Sequence, residues 1–300
     1  MKKSIVTCVL IVLLLGLSCK EKRNTNQTQI ESKIVVETKK SPSLDLVWQT
    51  DTLLTTCEST LYNKALDVIF VANVNNNPWE KDNNGFISTI DTKGNILELK
   101  WLEGLSGPKG MGVFDDKLYV TDIDRIVEID IKTQTISKSY ALEDEPHLND
   151  ITVSPEGIVY ASGSNTNSIY ALKNGAITVI DLDTKGRLNG LLHQKDGLFF
   201  IDSGKHYLGS YSFSSKASKI HTEELGHGDG IVQLKNGNLI VSDWKGRVFH
   251  IDTTNWQKTV LLDTREDDIY AADIDYIQET QMLLVPTFFN NSVMCYKVNL

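Results

Sequence analysis

An all-β, six-bladed propeller is what this sequence predicts, on three observations. There is a repeat near 40 residues, period-2 alternation inside each repeat, and a Gly- or Asn-bearing turn every 8 to 12 residues. The clearest copy is 226–252, GHGDGIVQLKNGNLIVSDWKGRVFHID. Its first strand runs from Asp229 through Ile231, Val232 and Leu234. The Asn236-Gly237 turn leads to Leu239–Asp243, and Lys245-Gly246 turns into the alternating strand Arg247–Ile251. Aligned on the start of the first strand, the unit recurs at Glu58, Gly110, Asn149, Asn189, Asp229 and Asp273, in steps of 52, 39, 40, 40 and 44 residues. A sheet this small buries both faces only if neighbours stack on it, so the repeat closes into a ring. Helical solenoids share the period but lack the period-2 alternation, which excludes them.

In chain order, residues 1–18 stand apart. Lys2 and Lys3 precede an apolar run, Ile5–Leu17, too short to span a bilayer comfortably, which ends LGLSC at Cys19. This resembles a bacterial lipoprotein signal peptide, in which Cys19 becomes the lipidated N-terminus. Gly16 stands where such signals usually carry Leu, and a plain secretory signal is the other reading. Both take the protein out of the cytoplasm. Residues 19–43 are polar and read as a flexible tether. The propeller occupies 44–300. Leu44–Thr50 arrives before the first repeat and the last repeat has three clear strands, so the early strand is expected to close the sixth blade and remove an open edge.

The formal charge is −9, or −11 without Lys2 and Lys3. So acidic a chain, with scattered Lys and Arg, repels phosphates, which sets nucleic acid aside. The membrane is then reached only through the lipid at Cys19, and the chain is expected to be a monomer in the cell envelope. Lys20 after Cys19 favours the outer membrane, with the propeller in the periplasm or at the cell surface. No CxxC or Cys/His cluster occurs, against zinc-finger and redox chemistry. Cys57 and Cys295 fall in the first and last repeats; they read as buried thiols, with a disulfide as the alternative.

First strands of propeller blades line the central channel, so the six residues that begin them converge on the axis. Five of the six carry a carboxylate or amide oxygen. Hard oxygen donors of mixed charge suit Ca²⁺, with Mg²⁺, Mn²⁺ or Zn²⁺ as alternatives. Any one of these residues alone also reads as a turn former; their shared phase is what distinguishes them. Asp122, Asp202 and Asp243, ending the strands YVTD, FFID and IVSD, read as structural.

Four segments carry a family resemblance: CEST at 57–60, HLNDITVSPEGIVYAS at 147–162, LNGLLHQKDGLFFIDS at 188–203 and GDGIVQLKNGNLIVSD at 228–243. In order and spacing they resemble the metal-site segments of the regucalcin/gluconolactonase family, six-bladed propellers related to diisopropylfluorophosphatases and paraoxonases. The resemblance implies Glu58, Asn189 and Asp229 as divalent-cation ligands and Asn149 as a residue that touches substrate or completes the metal shell. It further implies hydrolysis of a small lactone or ester, with Asp229 also taking the proton of the attacking water. His147 stands where family lactonases carry a substrate-gripping Arg, and Leu61-Tyr62 where a Trp follows the first Glu. His147 is therefore the expected substrate contact, and sugar specificity does not carry over. The alternative is a non-catalytic NHL-like propeller that binds a ligand or a protein, a pattern TDIDRIVEID at 121–130 also fits.

Among the remaining residues, His227 is a further candidate for substrate contact, and His193, His206, His221 and His250 read as strand or loop surface. Lys109 reads as a solvated surface lysine, and the five Trp as packing between sheets. Ser203 lacks a GxSxG context, against a serine hydrolase.

Overall fold

Alternating β-branched and aromatic stretches separated by Asn, Asp and Gly turns fold into strands wherever both faces find a neighbour. In the computed structural model, which describes residues 41–182 and 186–300, they form six four-stranded antiparallel sheets. Cys19, the expected lipidation site, lies outside the described residues. The first strands of the six blades are Cys57–Asn63, Pro108–Phe114, Leu148–Val153, Leu188–Gln194, Gly228–Gln233 and Asp275–Ile277. Each contacts the first strand of the next blade, and the sixth returns to the first, closing the ring. A parallel bridge between Ser59 and Asp273 fastens that last joint.

Ser43–Gln49 pairs antiparallel with Val293–Asn299, from Ser43 opposite Asn299 to Gln49 opposite Met294. The early strand therefore completes the sixth blade, as expected from the sequence, and ties the two ends of the propeller together.

The core is divided among the blade interfaces. Among the described residues six buried apolar clusters occur, one between each pair of neighbouring sheets. Between blades three and four, for example, Ile169 and Tyr160 meet Leu198 and the fully buried Phe200. Middle strands such as Leu239–Asp243 are buried along their whole length, being covered on both faces. Outer strands such as Thr135–Ala141 and Ala176–Asp181 are mostly exposed. Little apolar pattern is required of them, which is why the fourth strand of each blade reads weakly in the sequence.

Cys57 and Cys295 share the interface between blades one and six as buried free thiols, and burial pushes each up to about 12. They fill space and stay protonated.

Candidate functional site

The ends of the second strands shape the channel mouth. Asp202 Oδ1 accepts the backbone N–H of Arg187 at 2.9 Å and of Lys205 at 2.9 Å. Asp243 Oδ1 accepts that of His227 at 2.9 Å, and Asp122 Oδ1 those of Ser106 at 2.9 Å and Gly107 at 2.7 Å. Arg125 and Arg247 close on the second oxygens of Asp122 and Asp243, at 2.6 Å each. These acids are structural, as read from the sequence. Each fixes the loop that delivers the next channel-facing residue, namely Lys109, Asn189 and Asp229.

Glu58, Asn149, Asn189 and Asp229 all line one cavity of about 660 Å³ at this mouth. Each is the second residue of its first strand, and all four are at most 8% exposed. Glu58 Oε2, Asn189 Oδ1 and Asp229 Oδ1 are buried with no hydrogen-bond partner. An unpaired buried oxygen is costly, so three facing one cavity are unusual unless something else binds there. Burial, reinforced by the charge of Asp229, holds the Glu58 carboxyl well above its ordinary range. Burial and then Asp150 push Asp229 up to about 8, with the Asn189 side chain working the other way.

Two positions differ from the sequence reading. In blade two the channel-facing residue is Lys109, not Gly110, and in blade six it is Ala272, not Asp273. The equivalence is visible in the hydrogen bonds: Ser242 Oγ donates to the Ala272 carbonyl at 2.7 Å, as Thr121 Oγ1 donates to that of Asn149. In a strand, a shift of one residue turns the side chain to the other side. Asp273 accordingly falls in the next layer, with Asp150 from the opposite blade. Both side chains line a separate cavity of about 620 Å³ that shares no residue with the first. Burial pushes Asp150 up to about 7, and burial followed by the charge of Asp150 holds Asp273 well above its ordinary range. Glycine occupies this layer in blades two, four and five, where a Cβ on Gly110, Gly190 or Gly230 would collide with the backbone of the following blade.

Lys109 is 2% exposed, not a solvated surface residue. Its Nζ donates to the carbonyls of Pro78 at 2.8 Å and Gly107 at 2.9 Å and stands 3.9 Å from the ring centre of Trp79. Burial lowers its pKa to about 8, while Glu58 pulls it back up. The loop that carries Trp79 leaves blade one and reaches across the mouth, for Trp79 also meets Arg187 of blade four at 5.6 Å. Trp79 thus lines the cavity instead of packing between sheets, as does Trp244 from blade five, beside Phe288 and the exposed Phe289 of blade six. His206 lines it too, edge-on to His227 with ring centres 5.3 Å apart, and so is not plain surface. His147 stands one ring behind the cavity wall, stacked on Trp79 at 4.5 Å. Burial, then the charges of Lys109 and Arg187, lower its pKa and keep it neutral near pH 7.

No protein-family model matches this chain, and no curated protein matches it in sequence. Solved structures do share its fold. A gluconolactonase from Xanthomonas campestris superposes with a TM-score of 0.66 at 13% identity, over 85% of this chain and 89% of its own. A virginiamycin B lyase from Staphylococcus aureus superposes with a TM-score of 0.62 at 13% identity, over 86% of this chain and 99% of its own. A streptogramin B lyase gives 0.63 at 14%, over 86% and 98%. The fold is therefore one that known hydrolases and lyases use. At such identity the likeness extends to the architecture alone, and function rests on the site.

Proposed function

We propose that the channel mouth is the active site of a divalent-cation-dependent hydrolase acting on a small lactone or ester. The observation that carries this reading is the convergence of Glu58 Oε2, Asn189 Oδ1 and Asp229 Oδ1, three buried oxygens without partners, on one cavity. Hard donors of mixed charge, with no sulfur or imidazole among them, fit Ca²⁺ and tolerate Mg²⁺ or Mn²⁺. Among the described residues there is no cluster of three acids, His or Cys that would hold an ion unaided, so the amide of Asn189 is an essential third ligand. Bound there, such an ion supplies Lewis-acid polarisation of an acyl carbonyl.

The chain's own groups supply the rest. Asp229, aimed into the cavity, accepts the proton of the attacking water as a loosely held ligand whose carboxylate is free to act as a base. Asn149, held by a hydrogen bond from its Nδ2 to Ser164 Oγ at 3.3 Å, orients the substrate. Lys109, fixed by two carbonyls, places positive charge on the cavity wall, where it stabilises negative charge developing on the acyl oxygen. Trp79 covers the mouth and limits water, and His147 braces Trp79 from behind. The signal-like segment 1–18 supports placing this chemistry at the cell envelope, anchored through Cys19.

One observation favours the second reading, a binding module without a metal. Lys109 already brings a cation to the acids, where the charge of Glu58 favours its protonated form. Thermal unfolding with Ca²⁺ and with chelator separates the two. Saturation about 100-fold above Kd stabilises wild type by about 2.7 kcal/mol, or roughly 5–10 °C for a domain of this size. Asp229→Ala abolishes that shift under the proposal, and lactone turnover disappears with it. No shift in wild type with any divalent ion leaves the binding module.

A further inference from the structure

The cavity is charged against the sign of the protein. The chain carries a formal charge of −9, yet Lys109, Arg187 and Lys245 all line this one mouth. None of the three takes part in a salt bridge among the described residues. Each lies against an aromatic ring instead: Lys109 and Arg187 on Trp79, and Lys245 at 4.7 Å from Trp244. Two acids of the lining, Glu58 and Asp229, stand against these three cations, so the mouth keeps a formal excess of positive charge, and a positive concavity in an acidic protein concentrates anions.

The walls add shape. Trp79 lines the mouth beside Lys109, His147 and Arg187 of blades two to four, and Trp244 lines it beside Phe288 and Phe289 of blade six, where Phe289 is 55% exposed. Aromatic walls with cations at their edges suit a flat body that carries a negative group. Arg187 has the planar donor fork that a carboxylate matches in two hydrogen bonds.

We infer that the site takes an anionic, flat-bodied substrate, a carboxylate-bearing aromatic or unsaturated lactone or ester, with its carboxylate on Arg187 and Lys245 and its ring between Trp79 and Trp244. This deepens the hydrolase reading and rests on it only for the ester or lactone bond; the anion subsite stands on its own residues.

The test uses the isosteric pair 2-naphthoate and 2-naphthamide, titrated in metal-depleted buffer and followed by quenching of Trp79 and Trp244 fluorescence. The expected result is at least about tenfold tighter binding of naphthoate by wild type, with the preference lost in Arg187→Gln/Lys245→Gln while the amide binds that variant as before. Equal binding of acid and amide overturns the inference. So does a preference that survives in the double variant, or binding of neither probe. Because no metal is present, this failure is separate from failure of the cation site. Loss of the Ca²⁺ shift with the naphthoate preference intact would remove the hydrolase reading and leave the anion subsite.

Discussion

Removing metal should make this protein less stable as the pH rises, an unusual direction for a domain whose acids are mostly exposed. Asp229 is protonated up to about 8 in the folded chain, against 3.8 for an exposed Asp. The folded state then binds the proton more tightly than the unfolded state. Stability from this group is complete below the unfolded value and is lost as the pH climbs through the folded one. From pH 5 to pH 8 a single group so placed costs on the order of 3–4 kcal/mol, at about 1.4 kcal/mol per pH unit. Glu58, Asp150 and Asp273 shift the same way. The charges of these acids and Asp229 act on one another, so the losses overlap instead of adding in full. The assay is urea denaturation of metal-depleted protein at pH 5 and pH 8, for wild type and Asp229→Asn. Wild type should lose several kcal/mol between the two, and the variant, which has no proton to lose there, distinctly less. Saturating Ca²⁺, which binds the ionised acids, should restore wild type at pH 8 and do little at pH 5. A flat profile for the metal-free protein, or the same slope in Asp229→Asn, refutes the account of these acids as buried and unpaired.

Three further outcomes follow from the geometry. Lys109→Met removes a buried positive charge beside Glu58 and should raise Ca²⁺ affinity by about tenfold by calorimetry, since like charges within one site repel; unchanged affinity would place Lys109 outside the site's electrostatics. Gly190→Ala forces a methyl group into the Asp229 carbonyl and should erase the Ca²⁺ thermal shift in protein that still shows a β-sheet circular dichroism spectrum; an undiminished shift would mean the inner strands tolerate displacement. Phe200→Ala empties the interface between blades three and four and should cost about 3–5 kcal/mol in denaturant unfolding; a loss below about 1 kcal/mol would contradict cohesion by inter-blade burial.

Much of this was legible in the sequence because the repeat carries it. Strand alternation and turn residues recur at every blade, and the early strand at 44–50 had an unfilled place waiting in the sixth sheet. Glu58, Asn149, Asn189 and Asp229 were found through their common phase, and the structure brings all four to one cavity. The phase slipped by one residue in blades two and six, where the spacing departs from 40. There the loop bearing Trp79, and the turn around Arg265–Asp267, lengthen the repeat. A finer signal was present. Pro108, Leu188 and Gly228 pair across their hairpins with Asp122, Asp202 and Asp243, and each directly precedes the channel-facing residue. Aligning on those acids places Lys109, not Gly110, in the ring. Trp79, His206, Arg187 and Phe289 were not legible as cavity residues, because loops between strands obey no period. Only the ring's closure decides which of them lean over the mouth.

The central claim is that three side chains, from blades one, four and five, share one cation. A crystal of the protein soaked in CaCl₂ tests it directly. The account predicts a single ion with oxygens of Glu58, Asn189 and Asp229 at about 2.3–2.6 Å. Density at that point explained by the Lys109 ammonium, or an ion bound anywhere other than this mouth, would contradict it.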